Sequence, residues 1–118
     1  MKTVDKNPVQ EKLIQLRKSL QITQDEAAGL IGVTSTTLSR WTHQRTLRMD
    51  AAHETRLEFL LGLIRDAQEA IRAEGIPWWF KTPHPYLSDL RPIDLLRSPS
   101  GTQKVQSLIG SMRWGLPA

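Results

Sequence analysis

Apolar residues recur along this chain at the three- and four-residue spacing of helix faces, and residues that start or stop helices bracket each run. Val9, Leu13, Leu16 and Leu20 form the first stripe. Asn7 and Pro8 open it, with Gln10 spaced to reach back to the Asn7 backbone. Thr23 to Glu26 reads as a capping box, and Ala27, Ala28, Leu30 and Ile31 follow it up to Gly32. Thr34 caps a third helix, with Val33 and Leu38 spaced as a hydrophobic staple across the cap. Only Gly32 and Val33 separate Ile31 from Thr34, so the chain must turn sharply there. A fourth and longer segment begins at Asp50 and carries Leu57, Leu60, Leu61, Ile64, Ala67 and Ile71 on one face. Gly75 and Pro77 are placed to stop it. Its other face alternates charge through Arg56, Glu58, Arg65, Asp66, Glu69 and Arg72, the pattern of a solvated surface.

The texture changes after Gly75. The stretch PWWFKTPHPYLSDLRP holds four of the seven prolines and four of the seven aromatic residues. That mixture predicts a packed, irregular connector in which Trp78, Trp79 and Phe80 fill space and do not stack on bases. Pro92 then opens a short helix with Ile93, Leu95 and Leu96. Ser98 and Pro99 open another, carrying Val105, Leu108, Ile109 and Met112 on one face and ending near Gly115. No strand alternation and no repeat is visible. The fold class is all-α, divided into a small helical bundle at 1–48, a long connecting helix at 49–76 and a second small helical domain at 77–118.

Composition narrows the function classes. Hydrophobic residues make up 39% and charged residues 24%, the proportions of a folded globular chain, and 118 residues leave room for one domain or two small ones. With no cysteine, neither a disulfide framework nor a thiolate metal site can form. The start MKTVDKNPVQ lacks the apolar run of a signal peptide, and no stretch is long and apolar enough to span a bilayer, so the expected location is the cytoplasm. His43, His53 and His84 stand at no metal-ligand spacing, and no metal or cofactor is expected. Phosphate-cradling glycine loops, paired metal-binding carboxylates and a Ser-His-Asp arrangement are absent as well, so the chain does not read as an enzyme. The net charge of +4 is unevenly spread. Residues 1–45 hold seven Lys or Arg against four Asp or Glu, residues 46–75 four against six, and residues 76–118 five against two. A basic first segment suits a polyanionic partner.

The cluster of four hydroxyl residues at Thr34, Ser35, Thr36 and Thr37 gives that partner a shape. Two short helices joined by a glycine-containing turn form a helix-turn-helix, whose second helix enters the DNA major groove with its first residues against base edges. Small hydroxyl side chains approach bases and phosphates closely, and a threonine methyl can touch a thymine methyl. The DNA-binding candidates are Gln24, Thr34, Ser35, Thr36, Thr37, Ser39 and Arg40. Arg40 has the reach for a guanine edge or a phosphate, and Gln24 is placed for a phosphate. Leu38 and Trp41 lie on the opposite face as anchors. The stretch LRKSLQITQDEAAGLIGVTSTTLSRW resembles the helix-turn-helix of the Xre, phage-repressor-like family over roughly residues 8–45. In that resemblance the phosphate-contacting glutamine falls on Gln24 and the base-facing positions on Ser35, Thr36 and Arg40. Many relatives follow the last apolar residue with Glu and Gly, whereas Thr42, His43 and Gln44 stand here, so the exit from the third helix is built differently.

The second half has its own likeness. Trp78, Pro83, Pro85, Leu87, Pro92, Leu95, Leu96, Gly101, Val105, Leu108 and Gly115 follow a spacing similar to that of the MbcA/ParS/Xre antitoxin toxin-binding domain. The two resemblances together imply a type II antitoxin that represses its own promoter and neutralises a RES-domain toxin, the class that destroys NAD. They place toxin contact at the C-terminal end, on Arg113, Trp114, Gly115 and Leu116. One recognition helix covers only a few base pairs, so double-stranded promoter DNA would be held by a homodimer, with the long helix at 50–73 contributing to self-association. Two other readings remain open on the residues. One is a phage-repressor-like regulator without a toxin partner, and the other a protein-interaction module whose helix-turn-helix no longer binds DNA.

Overall fold

The computed structural model describes residues 8–43 and 48–115, and among these the chain is all-helical, with no strand. Its helices are α1 (Pro8–Leu20), α2 (Gln24–Ile31), α3 (Ser35–His43), α4 (Ala51–Gln68), α5 (Ile76–Lys81), α6 (Pro92–Leu95) and α7 (Pro99–Arg113), with 3₁₀ turns at Ala73–Gly75 and Pro85–Leu87. Internal packing divides the chain into two units, residues 1–61 and 62–118, and the division falls inside α4.

In the first unit, the capping box at α2 is complete. The Glu26 N–H donates to Thr23 Oγ1 at 3.1 Å, and the Thr23 N–H donates to Glu26 Oε1 at 2.9 Å. Gly32 closes α2 at φ +95°, a left-handed conformation that costs a residue without Cβ little, and its N–H returns to the Ala28 carbonyl. Leu13, Leu16 and Leu20 of α1, Ala27, Leu30 and Ile31 of α2, and Leu38 and Trp41 of α3 make the buried set. Each fully buried leucine contributes roughly 2 kcal/mol. Gln10 has partners that its local spacing did not suggest. It is buried, and its amide donates to the carbonyls of Trp41 at 3.4 Å and Thr42 at 3.0 Å, so it satisfies the carboxyl end of α3. Its expected partner, Asn7, lies outside the described residues. Two further ties bring in the start of α4: Lys12 pairs with Glu58 at 2.6 Å, and Arg56 Nε donates to the Leu30 carbonyl at 3.0 Å.

In the second unit, α4 ends at Gln68 and not near Gly75. The Glu69 and Ala70 N–H groups bond three residues back, tightening the chain before Arg72 turns extended. Gly75 and Pro77 belong to the next helix, as its N-cap and first turn. A proline is tolerated at that place because its missing N–H would have had no intrahelical partner. The aromatic stretch predicted as an irregular connector is therefore partly helical, as α5. Ile76, Trp79 and Phe80, at i, i+3 and i+4, are buried, and Trp79 meets Phe80 edge-on at 5.0 Å. Trp78, expected to pack, is 69% exposed because it falls on the other side of that single turn. Leu57, Leu60, Leu61, Leu63, Ile64 and Ala67 of α4 are all buried within the chain.

Ser98 caps α7 by accepting the Gly101 N–H at 3.0 Å, and the buried Thr102 hydroxyl donates to the Leu96 carbonyl at 3.2 Å. Val105, Leu108 and Ile109 are buried, Met112 is half-buried, and Gly115 at φ +74° follows the end of α7. Between α5 and α6, Ser88 and Asp89 adopt φ +58° and +62° while the Leu90 N–H donates to the Leu87 carbonyl at 3.0 Å. Two left-handed central residues define a type I′ turn.

Candidate functional site

The first turns of α2 and α3 form one surface. Thr34 caps α3, accepting the Thr37 N–H at 3.2 Å, and its hydroxyl also bonds that of Thr37 at 3.1 Å. Both side chains therefore serve the helix start. Leu38 and Trp41 are 1% and 6% exposed, which fixes the helix from behind and turns the opposite face outward. That face borders an open groove lined by Gln24, Ser35, Thr36, Ser39, Arg40 and His43. Five of the seven residues singled out in the sequence come together there, while Thr34 and Thr37 stand at the cap beside them.

Each has a defined environment. Thr36 and Arg40 are exposed. Gln24 is half-buried, and its amide donates to the Ser35 carbonyl at 3.3 Å, so it ties α2 to α3 as well as lining the groove. The Ser35 hydroxyl donates to the Asp25 carboxylate. His43 Nδ1 lies 2.9 Å from the Ser39 carbonyl, which only accepts, so that nitrogen carries the proton. Two of these residues were missed in the sequence. His43 was legible in principle, since Thr36, Arg40 and His43 at i, i+4 and i+7 share one helix face. Asp25 had no local signal, because its partner is ten residues away.

The C-terminal end of the second unit offers a different surface. Arg113 pairs through Nε with Glu69 at 3.0 Å and through Nη1 with Asp66 at 3.8 Å. Trp114 is 78% exposed, and Gly115 follows it in a left-handed turn. Leu116 lies outside the described residues. Trp78, Tyr86 and Leu90 are further exposed apolar side chains of this unit. Of the other residues whose spacing carried the family resemblance, Leu87, Pro92, Leu96, Gly101, Val105 and Leu108 are buried, Leu95 is half-buried, and Pro83 and Pro85 are exposed. No group of His, Asp and Glu suited to a metal ion occurs among the described residues. His53 pairs with Asp50 at 2.8 Å, and His84 accepts the Tyr86 N–H. No helix among the described residues is long and apolar enough to cross a membrane.

Residues 74–115 match the family described as the antitoxin Xre/MbcA/ParS C-terminal toxin-binding domain. No curated protein matches the chain. Among solved structures, the fold is similar to a chain of the crystal structure of the M. tuberculosis MbcT–MbcA toxin–antitoxin complex. The TM-score is 0.70 at 20% sequence identity, covering 95% of this chain and 99% of that one. The spacing from Trp78 to Gly115 noted in the sequence thus falls within the stretch, residues 74–115, that is similar to this toxin-binding domain.

Proposed function

We propose that this protein is the antitoxin of a toxin–antitoxin pair, which neutralises its toxin by direct binding and represses its own operon by binding promoter DNA. The observation that carries the reading is the match of residues 74–115 to a toxin-binding domain, in a chain whose other unit holds two short helices, α2 and α3, joined by a tight glycine turn. Residues 1–48 act as the DNA-binding part, 49–76 as the connection and 77–118 as the toxin-binding part. Gln24, Ser35, Thr36, Ser39 and Arg40 contact the duplex around the groove on α3, with Thr34 and Thr37 at its rim. Trp114, with Arg113, Gly115 and Leu116, contacts the toxin. Support for Trp114 lies in its 78% exposure, because a large aromatic open to solvent is a ready interface anchor. The toxin is of the RES-domain, NAD-degrading type, and the antitoxin performs no chemistry itself. It works in the cytoplasm and holds DNA as a homodimer, since two recognition helices about 34 Å apart reach successive major grooves.

Co-expression tests the toxin half. The full chain is produced together with the toxin frame from the same operon, while growth and cellular NAD are followed. Restored growth and NAD, with co-purification of the two chains, is the expected result. Growth arrest that the antitoxin leaves unchanged at excess would remove the reading. Gel-shift of the full chain on its own upstream region, against a scrambled duplex, tests the DNA half.

A further inference from the structure

Two side-chain bonds join the first turns of α2 and α3, and one of them fixes the polarity of the proposed DNA-reading face. The Ser35 hydroxyl has a single proton, and it is committed to the Asp25 carboxylate. The Gln24 amide is directed at the Ser35 carbonyl, 3.3 Å away, which holds the same residue from its other side. Thr34 and Thr37, the neighbouring hydroxyls, are engaged with one another and with the helix cap. Beside the exposed Thr36 hydroxyl, which can donate or accept, the amino end of α3 presents two oxygens with lone pairs and no proton to give: that of Ser35 and the second oxygen of Asp25. Arg40, exposed farther along the same helix, is the opposite, a group that only donates.

We propose that Asp25, acting with Ser35, is a specificity-determining element that selects an exocyclic amino group at one base pair of the operator. The proposal rests on the DNA-binding reading above. In the major groove, amino donors are presented by cytosine N4 and adenine N6, whereas guanine presents O6 and N7 and thymine presents O4, all acceptors. An acceptor-only pair is complementary to the first two and leaves unpaired lone pairs against the others. It also repels phosphate, so it disfavours binding in which the amino end of α3 rests on the backbone. A bland alternative is that Asp25 merely complements the α2 dipole and ties two helices together.

Selection from a random duplex library separates these possibilities. The full chain and its Asp25→Asn, Ser35→Ala and double variants are each enriched on the library, and anisotropy titrations on the winning duplex follow. The wild-type site is expected to contain cytosine or adenine at one position, where guanine or thymine lowers affinity by about 10-fold. Asp25→Asn, which supplies an amide donor, should relax or redirect that position alone and leave the others unchanged. The double variant should lose no more discrimination than Asp25→Asn does. Thermal unfolding of each variant shows whether it retains the wild-type fold, and Ser35→Ala gives a second route to the same position. A motif identical in wild type and Asp25→Asn overturns the proposal while the DNA-binding reading stands, as does a uniform loss of affinity at every position. Failure of the wild type to enrich any sequence overturns the DNA-binding reading itself, and the proposal with it.

Discussion

Arg113 and Glu69 form a hydrogen-bonded ion pair, Nε to Oε1 at 3.0 Å, which ties the last turn of α7 to the segment just after α4. Trp114 follows immediately and is 78% exposed. The arginine side chain is 30% exposed and its two acidic partners 44% and 59%, so solvent screens the cluster and it is worth at most ~1 kcal/mol. Stability and toxin capture should therefore respond in opposite order. Arg113→Ala is expected to lower stability by less than about 1 kcal/mol, and Trp114→Ala by under about 0.5 kcal/mol. Toxin affinity should fall by about 30-fold or more in Trp114→Ala, the behaviour of an anchor worth roughly 2 kcal/mol, and by less in Arg113→Ala. Urea unfolding and calorimetric titration with the toxin measure the two quantities. A Trp114→Ala protein that binds toxin normally would take that residue out of the interface.

Gly101 tolerates no side chain. A Cβ there would stand 2.2 Å from the Leu95 carbonyl oxygen and 2.9 Å from its carbon, both backbone atoms that cannot swing aside. Gly101→Ala must push α7 away from the end of α6, disturbing the Ser98 cap and the Thr102 bond to Leu96. The expected loss is about 2–3 kcal/mol, read from the urea midpoint. Gly110, where the same construction meets nothing within 4 Å, is the control: Gly110→Ala should stabilise slightly, because alanine is the better helix former.

Arg40 distinguishes base readout from backbone contact. If it meets a guanine edge, Arg40→Ala costs about 1–3 kcal/mol on the operator and relaxes one position. If it meets phosphate, the loss is similar on every sequence and the salt slope falls by about one. Titrations at several salt concentrations, on operator and scrambled duplexes, give both quantities. A variant indistinguishable from wild type in both would exclude Arg40 from the interface.

Acid should erase a small part of the second unit's stability. Arg91 donates to both oxygens of Asp94, from Nε at 2.8 Å and Nη2 at 2.9 Å, and this holds the Asp94 carboxyl below its ordinary value of 3.8. A depressed folded-state value means that the contribution is present above the unfolded value and is lost as pH falls through the folded one. The pair is half-exposed, so Asp94→Asn should cost only about 0.5 kcal/mol at neutral pH. Urea midpoints of wild type and variant are expected to differ at pH 7 and to converge well below pH 4. A gap that persists in acid would point to packing as its source.

The helix starts and stops were mostly legible in advance because their causes are local. A capping box, a proline in the first turn or a glycine in the left-handed region acts on N–H and carbonyl groups three or four residues away. Thr23 with Glu26, Gly32, Ser98 and Gly115 all behave as their spacing implies. Where local cues are compatible with two boundaries, they do not choose between them. Gly75 and Pro77 are equally good as an end to α4 or as an opening to α5, and packing of Trp79 and Phe80 into the second core selects the opening.

The candidate DNA-binding residues were readable as a group for the same reason, since Ser35, Thr36, Ser39 and Arg40 lie within two turns of one short helix. Their electrostatic character was not. Asp25 meets Ser35 across ten positions, Gln10 meets Thr42 across thirty-two, and Arg113 meets Glu69 across forty-four. Nothing in a window of one or two helical turns reports such meetings, because they depend on how helices dock once apolar faces have been buried. Helix periodicity and capping thus follow from hydrogen bonds a few residues long, written in the chain itself. Which donor meets which acceptor on the finished surface waits on the packing.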